Sequence, residues 1–278
     1  MTQEKLTKLS GKAREARINT LKSIAHLGVG HVGGALSVIE ILTYLYYSEM
    51  TVNPEEPRAK ERDRLVLSKG HAGPALYSIL AMKGFFPMDW LYTLNNGGTR
   101  LPSHCDRNLT PGIDMTTGSL GQGLSASIGI ALACRMDKLQ NHVFAIIGDG
   151  ESQEGQIWES AMTAPMFKLD NLIAFTDFNK MQIDGETASI MNIEQLDDKW
   201  KAFGWHTQRI DGHDFSAIDD AVQAAKAAKG TPSMIILDTI KGFGCPAAEN
   251  KVSSHNMPIS PEQLDEALTA LGYTEGEF

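Results

Sequence analysis

The sequence predicts an α/β protein: a doubly wound parallel sheet with helices on both faces. Short apolar runs at 64–67, 142–147, 171–176, 205–210 and 234–240 recur along the chain, and longer stretches with helical spacing separate them. Val143 to Ile147 and Met234 to Leu237 are nearly continuous apolar runs, as strands covered on both faces are. With 278 residues, 42% of them hydrophobic, the chain can bury a large core.

Residues 4–27 and 35–47 place apolar side chains at helical spacing, and a glycine-rich bend from Gly28 to Gly34 separates them. Ser37 with Glu40 predicts a capping box at the start of the second helix. Ala221 to Ala228 reads as a surface helix, and Ser260 before Pro261 opens a last helix that Gly272 closes. No strand pattern follows residue 240, and no repeat, low-complexity segment or linker interrupts the chain.

The formal charge is -9, and Lys and Arg nowhere gather into the stripe that nucleic acid or an anionic membrane would need. No apolar run approaches the roughly 18 residues of a membrane helix. Cys105, Cys134 and Cys245 lack metal-ligand or CxxC spacing, and MTQEKLTKLSGK has no apolar signal region. The expectation is a soluble, cytoplasmic protein with reduced thiols.

In an open parallel sheet, ligands sit beyond the carboxyl ends of the strands. The run VFAII leads into Gly148, Asp149 and Gly150, and NLIAFTDF leads into Asn179, with Asp184 and Gly185 close behind. A carboxylate oxygen of Asp149, an amide oxygen of Asn179 and a nearby backbone carbonyl are hard ligands that leave positions for two phosphate oxygens and water. That is Mg²⁺ or Ca²⁺ chemistry. Taken alone, GDG is more often an ordinary turn.

His31, His71 and His104 lie beside glycine, proline or serine in loops, where imidazoles can serve sugar hydroxyls or phosphate or simply be solvated. Glu154 and Glu159 follow GDG on one helix and read equally as solvated carboxylates. Gly28, Gly30 and Gly33 spell GxGxxG, but a helix precedes them where the dinucleotide fingerprint needs a strand, which argues against NAD(P).

GDGESQEGQIWE, then NLIAFTDFN, then DG, resembles the thiamine diphosphate motif in the form it takes in transketolases. GHVGGALS, LSKGHAGPALY, TGSLGQGLS and the KGFG-to-His255 segment are similar to further family motifs, in family order over almost the whole chain. The resemblance implies that Asp149, Asn179 and the backbone carbonyl of Met181 hold Mg²⁺, and that Gly150 and Asn179 contact the diphosphate. It implies that His31 and His104 face the sugar and that His71 lies by the diphosphate and thiazolium. Gly118, Ser119 and Leu120 would line the cofactor channel, while Lys241 and His255 close over the diphosphate. The family commonly has glycine after the histidine matching His255, and Asn256 departs from that. Glutamates at the places of Glu154 and Glu159 would sit at a subunit interface and link two cofactors.

The resemblance further implies a single diphosphate-binding domain over 1–278, with the pyrimidine-binding and C-terminal domains on a partner chain in an α2β2 assembly. The expected activity is transfer of a two-carbon glycolaldehyde unit between sugar phosphates. The α subunit of a 2-oxo acid dehydrogenase and a non-catalytic Mg²⁺/diphosphate-binding protein are the alternatives; SKGHAG and GHVGG speak against the first, and the three loop histidines against the second.

Overall fold

The computed structural model describes residues 1–277. Helix α1 (Gln3–Leu27) is capped by the Thr2 side chain and ends where Gly28 turns left-handed at φ +94°. A two-residue strand β1 (Val29–Gly30) leads to α2 (Val32–Leu36) and α3 (Ile39–Tyr44), which runs into a π-helical turn over Leu45–Glu49. Strand β2 (Arg64–Leu67), α4 (Gly73–Met82), α5 (Gln122–Met136), β3 (Val143–Gly148), α6 (Gly155–Met166) and β4 (Leu172–Phe178) follow. A small hairpin of β5 (Met181–Gln182) and β6 (Gly185–Glu186) precedes α7 (Thr187–Ile190) and α8 (Leu196–Ala202). The chain continues through β7 (His206–Asp211), α9 (Phe215–Ala227), β8 (Ser233–Asp238), β9 (Met257–Pro258) and α10 (Pro261–Ala270).

The five long strands form one sheet in the order β2-β3-β4-β8-β7, every pair parallel. Each lies within two residues of its expected run. Alternation along a strand sends side chains to opposite faces. Phe144, Ile146, Ile173, Phe175, Ile235 and Leu237 join the core that includes buried residues of α1, α3, α4 and α9. Ala145, Ile147, Leu172, Ala174, Met234 and Ile236 join the core that includes those of α5, α6 and α8. Both faces are covered, which is why the β3 and β8 runs carry no polar alternation.

Two expectations are corrected near the start of the chain. The predicted 35–47 helix is divided between α2 and α3, and the Ser37–Glu40 capping box does not form. Ser37 instead donates to Asp177 at 2.7 Å, and Glu40 pairs with Arg17 at 2.6 Å and with His213 at 3.0 Å. A helix cap contributes about 1 kcal/mol, whereas a buried carboxylate left without partners costs several, so the long-range partners prevail. The absence of strand after residue 240 is also corrected, since β9 pairs antiparallel with β1. At the far end, the expected cap is a full capping box between Ser260 and Gln263.

The Arg17–Glu40 pair is buried on both sides, and His213 fixes its far edge. The His213 Nε2 accepts the Ile240 amide at 2.9 Å, so its Nδ1 carries the proton donated to Glu40. This chain of contacts ties α1 to the turn after β8. Glu40→Ala should destabilise the fold by about 3 kcal/mol, because it leaves the Arg17 guanidinium buried without its carboxylate. Denaturant unfolding checks this; a loss below about 1 kcal/mol would show that the pair is dispensable.

Candidate functional site

Asp177, in the last turn of pleat before β4 ends, is fully buried and accepts from four groups. Lys69, just after β2, forms an ion pair with it. Thr239, just after β8, donates to it, as do Ser37 at 2.7 Å and the Asn179 amide at 2.9 Å. Burial by itself would raise the Asp177 pKa, but Lys69 and these hydrogen bonds outweigh it and hold the carboxyl below its usual range.

Anchoring Asn179 Nδ2 on Asp177 leaves the Asn179 Oδ1 turned toward the Met181 amide, which donates to it at 3.1 Å. Asp149, at the end of β3, accepts the Gly150 amide at 2.7 Å and the Lys180 amide on its other oxygen. Its pKa is raised to about 7, first by burial and then by the neighbouring charge of Asp177. A carboxylate so placed gains most from a cation. Glu151, one turn on, accepts from Ser68 and from the Gly121 and Gly148 amides at 2.8 and 2.9 Å, joining the ends of β2 and β3 to the start of α5.

Above this floor lies a cavity of about 300 Å³ lined by Asp149, Gly150, Asn179, Met181, His71, Lys241, His255, Leu120 and Glu154. Lys241 is 1% exposed, and its ammonium has no hydrogen-bond partner. Its pKa falls to about 8, through burial first and then the nearby Lys69 charge. It forms part of the wall rather than an exposed flap. The glycine bend permits this closeness: a Cβ on Gly33 would lie 2.8 Å from Lys241 Cγ, and one on Gly34 3.0 Å from His71 Nε2.

Four imidazoles crowd one side. The His31 ring lies 5.5 Å from those of His71 and His255 and 5.4 Å from that of His104, while His71 and His255 are 5.1 Å apart. Burial is the main cause that lowers the pKa of all four, bringing His31 and His255 to about 4. They are therefore neutral near pH 7, each able to donate through one nitrogen and accept through the other. Among the described residues no three His, Cys, Asp or Glu are placed to hold a metal ion.

Of the expected residues, His31 and His104 do not line the cavity: His31 packs against its His71 and His255, and His104 packs against His31. Gly118, at φ +138°, packs beside His104, where an added Cβ would lie 3.2 Å from the ring. Ser119 is exposed outside the lining; Glu159 is exposed on α6 and also outside it, and Glu154 lies exposed at the rim. Sequence reasoning missed Lys69, Asp177 and Glu151, and the available signal was a charge set inside or directly against a buried apolar run.

An oxygen-donor turn at one strand end, an anchored amide at the next and a buried ammonium without a hydrogen-bond partner are groups that could hold a metal-bound diphosphate. The donors suit the group: Asp149 and Asn179 offer oxygens, and the Lys241 ammonium has no hydrogen-bond partner. The chain belongs to the transketolase family; the profile described as "Transketolase, thiamine diphosphate binding domain" matches residues 10–278. It is 59% identical over 95% of its length to the 6-deoxy-6-sulfo-D-fructose transketolase subunit SqwG of Clostridium sp. (strain MSTE9), covering 96% of that protein. It is 39% identical to an apulose-4-phosphate transketolase subunit from Phocaeicola vulgatus, over 86% of this chain and 85% of that one. The solved transketolase from Leishmania mexicana superimposes with a TM-score of 0.91 at 29% identity, over 97% of this chain and 42% of that one. By family and by these relatives of matching length, the chain is a transketolase subunit, the half of a transferase that carries the thiamine diphosphate-binding domain.

The depressed histidines make stability depend on acid. The fold favours their neutral forms, so the unfolded chain binds more protons between about pH 6.5 and 4, and stability rises with pH across that window. Their contribution is present above 6.5 and is lost as pH falls through about 4. His31→Gln should lose less stability than the wild type between pH 6.5 and 4; equal losses in thermal melts would remove His31 from this account.

Proposed function

We propose that this chain supplies the diphosphate-binding half of an Mg²⁺- and thiamine diphosphate-dependent transketolase and works with a partner subunit bearing the pyrimidine-binding half, as α2β2. The unpartnered Lys241 ammonium facing Asp149 and Asn179 carries the reading. In it, Asp149, Asn179 and the Met181 carbonyl hold the metal, with Ca²⁺ an alternative, while Gly150, Lys241, His71 and His255 hold the diphosphate. Bound thiamine diphosphate would supply a nucleophilic carbon and an electron sink.

The chain's own part is position and protons. His31 and His104, kept neutral by burial, orient sugar hydroxyls, each donating through one ring nitrogen and accepting through the other. Leu120 and the Gly118–Ser119 segment border the channel. Glu154 and Glu159, exposed here, belong to the interface between diphosphate halves, where carboxylates would share protons with their counterparts. The protein acts in the cytoplasm, with Cys105, Cys134 and Cys245 as buried free thiols; among the described residues no helix is long and apolar enough to cross a membrane.

The general reading is transfer of a glycolaldehyde unit from a ketose phosphate to an aldose phosphate. The 59% identity to a subunit named for 6-deoxy-6-sulfo-D-fructose favours a narrower second reading, with a sulfonated ketose as donor. A coupled assay with ribose 5-phosphate as acceptor compares xylulose 5-phosphate and 6-deoxy-6-sulfo-D-fructose as donors, with and without the neighbouring gene's product. Turnover is expected only with the partner, and faster sulfonated-donor turnover supports the narrower reading. Turnover by this chain alone would overturn the two-chain proposal.

A further inference from the structure

Five of the nine arginines in the chain, Arg58, Arg62, Arg64, Arg100 and Arg107, line a second cavity of about 440 Å³, with Asp114 as its single carboxylate. It shares no lining residue with the cavity above Asp177. Arg64 opens β2, whereas Lys69 follows the other end of that strand, so the two cavities lie toward opposite ends of β2.

Asp114 cannot neutralise this group. It already accepts from both terminal nitrogens of Arg62 and from the Leu65 amide at 2.9 Å, and it pairs with Arg64 at 3.5 Å. The Arg62 Nε, buried with the rest of a side chain that is 4% exposed, has no acceptor. Arg58 and Arg107 form no side-chain hydrogen bond or ion pair among the described residues, and the Arg100 guanidinium only faces the Trp90 ring at 5.3 Å. Arg62 and Arg64 repel one another, and that repulsion, after burial, is what lowers the Arg64 pKa.

A chain of net charge -9 thus concentrates four uncompensated positive charges in one concavity. The residues are arginines throughout, whose planar donors match tetrahedral oxyanions, with no lysine among them. We infer that this cavity binds a small organic or inorganic oxyanion bearing a phosphate, diphosphate or sulfonate group, held between the 58–64 segment and the loop that carries Arg100 and Arg107. That loop is closed at its base by the Thr117 amide on the Cys105 carbonyl at 3.0 Å, directly beside His104 and Gly118. An anion bridging the two segments therefore clamps the loop from which His104 projects.

The test is calorimetric titration of inorganic pyrophosphate and of sulfate into the full chain, at ionic strength matched with sodium chloride. Three proteins are compared: wild type, Arg58→Gln/Arg107→Gln, and Lys241→Gln. Arg58 and Arg107 are exposed, and circular dichroism and thermal melting without anion verify that the double variant folds. Lys241 belongs to the cofactor cavity, so a site that survives Lys241→Gln and weakens about tenfold, or about 1.4 kcal/mol, in the arginine double variant establishes the second site. Pyrophosphate and sulfate binding that Lys241→Gln alone abolishes, or that the folded double variant retains in full, would overturn it, as would binding that chloride suppresses equally in all three proteins. The result is independent of transketolase turnover, whose failure would leave the arginine site standing.

Discussion

The site rests on one buried carboxylate. Asp177 sits at the carboxyl end of the central strand and receives donors from the segments after β2, β4 and β8 and from the bend after α2. An isolated carboxylate at zero exposure would cost far more than a domain's net stability allows. Lys69 offsets the charge, and three neutral donors occupy the remaining lone pairs. The cost of burial is thereby turned into geometry, since four separate segments must converge before Asp177 is satisfied.

Everything functional follows from that convergence. Fixing Asn179 Nδ2 determines which way its oxygen faces, and burial, followed by the neighbouring Asp177 charge, raises the Asp149 pKa to about 7. Drawing Ser37 down pulls the Gly33–Gly34 bend against Lys241 and His71, where no larger residue fits without displacing them. The Arg17–Glu40–His213 chain braces the same turn from behind through the Ile240 amide. Rigid elements hold the cavity, and the histidines crowd into it from loops whose bases those elements fix.

The sheet was legible because its signal is local: five apolar runs between helical stretches, with β3 and β8 unbroken enough to show coverage on both faces. Asp149, Asn179 and the glycine bend were legible because hard oxygen donors and small residues stood at strand ends. The four-histidine cluster was only partly so, since sequence spacing says nothing of how loops near 31, 71, 104 and 255 meet in space. The Ser37–Glu40 error has the same origin. A capping box is a local inference, and both side chains were claimed by partners 23 to 173 residues away. Lys69, Asp177 and Glu151 escaped notice because a charge within an apolar run reads as a strand edge until its partner is known.

In the proposed function the Asp177 charge, which does not line the cavity, sets the affinity of the cofactor site. Asp177→Asn keeps the shape and removes the charge that holds Lys69 and orients Asn179. Titration calorimetry of thiamine diphosphate with Mg²⁺, on a variant shown by circular dichroism to retain its fold, measures the consequence directly. The account predicts an affinity at least about tenfold weaker than wild type, a loss of about 1.4 kcal/mol or more. Wild-type affinity in the folded variant would contradict it.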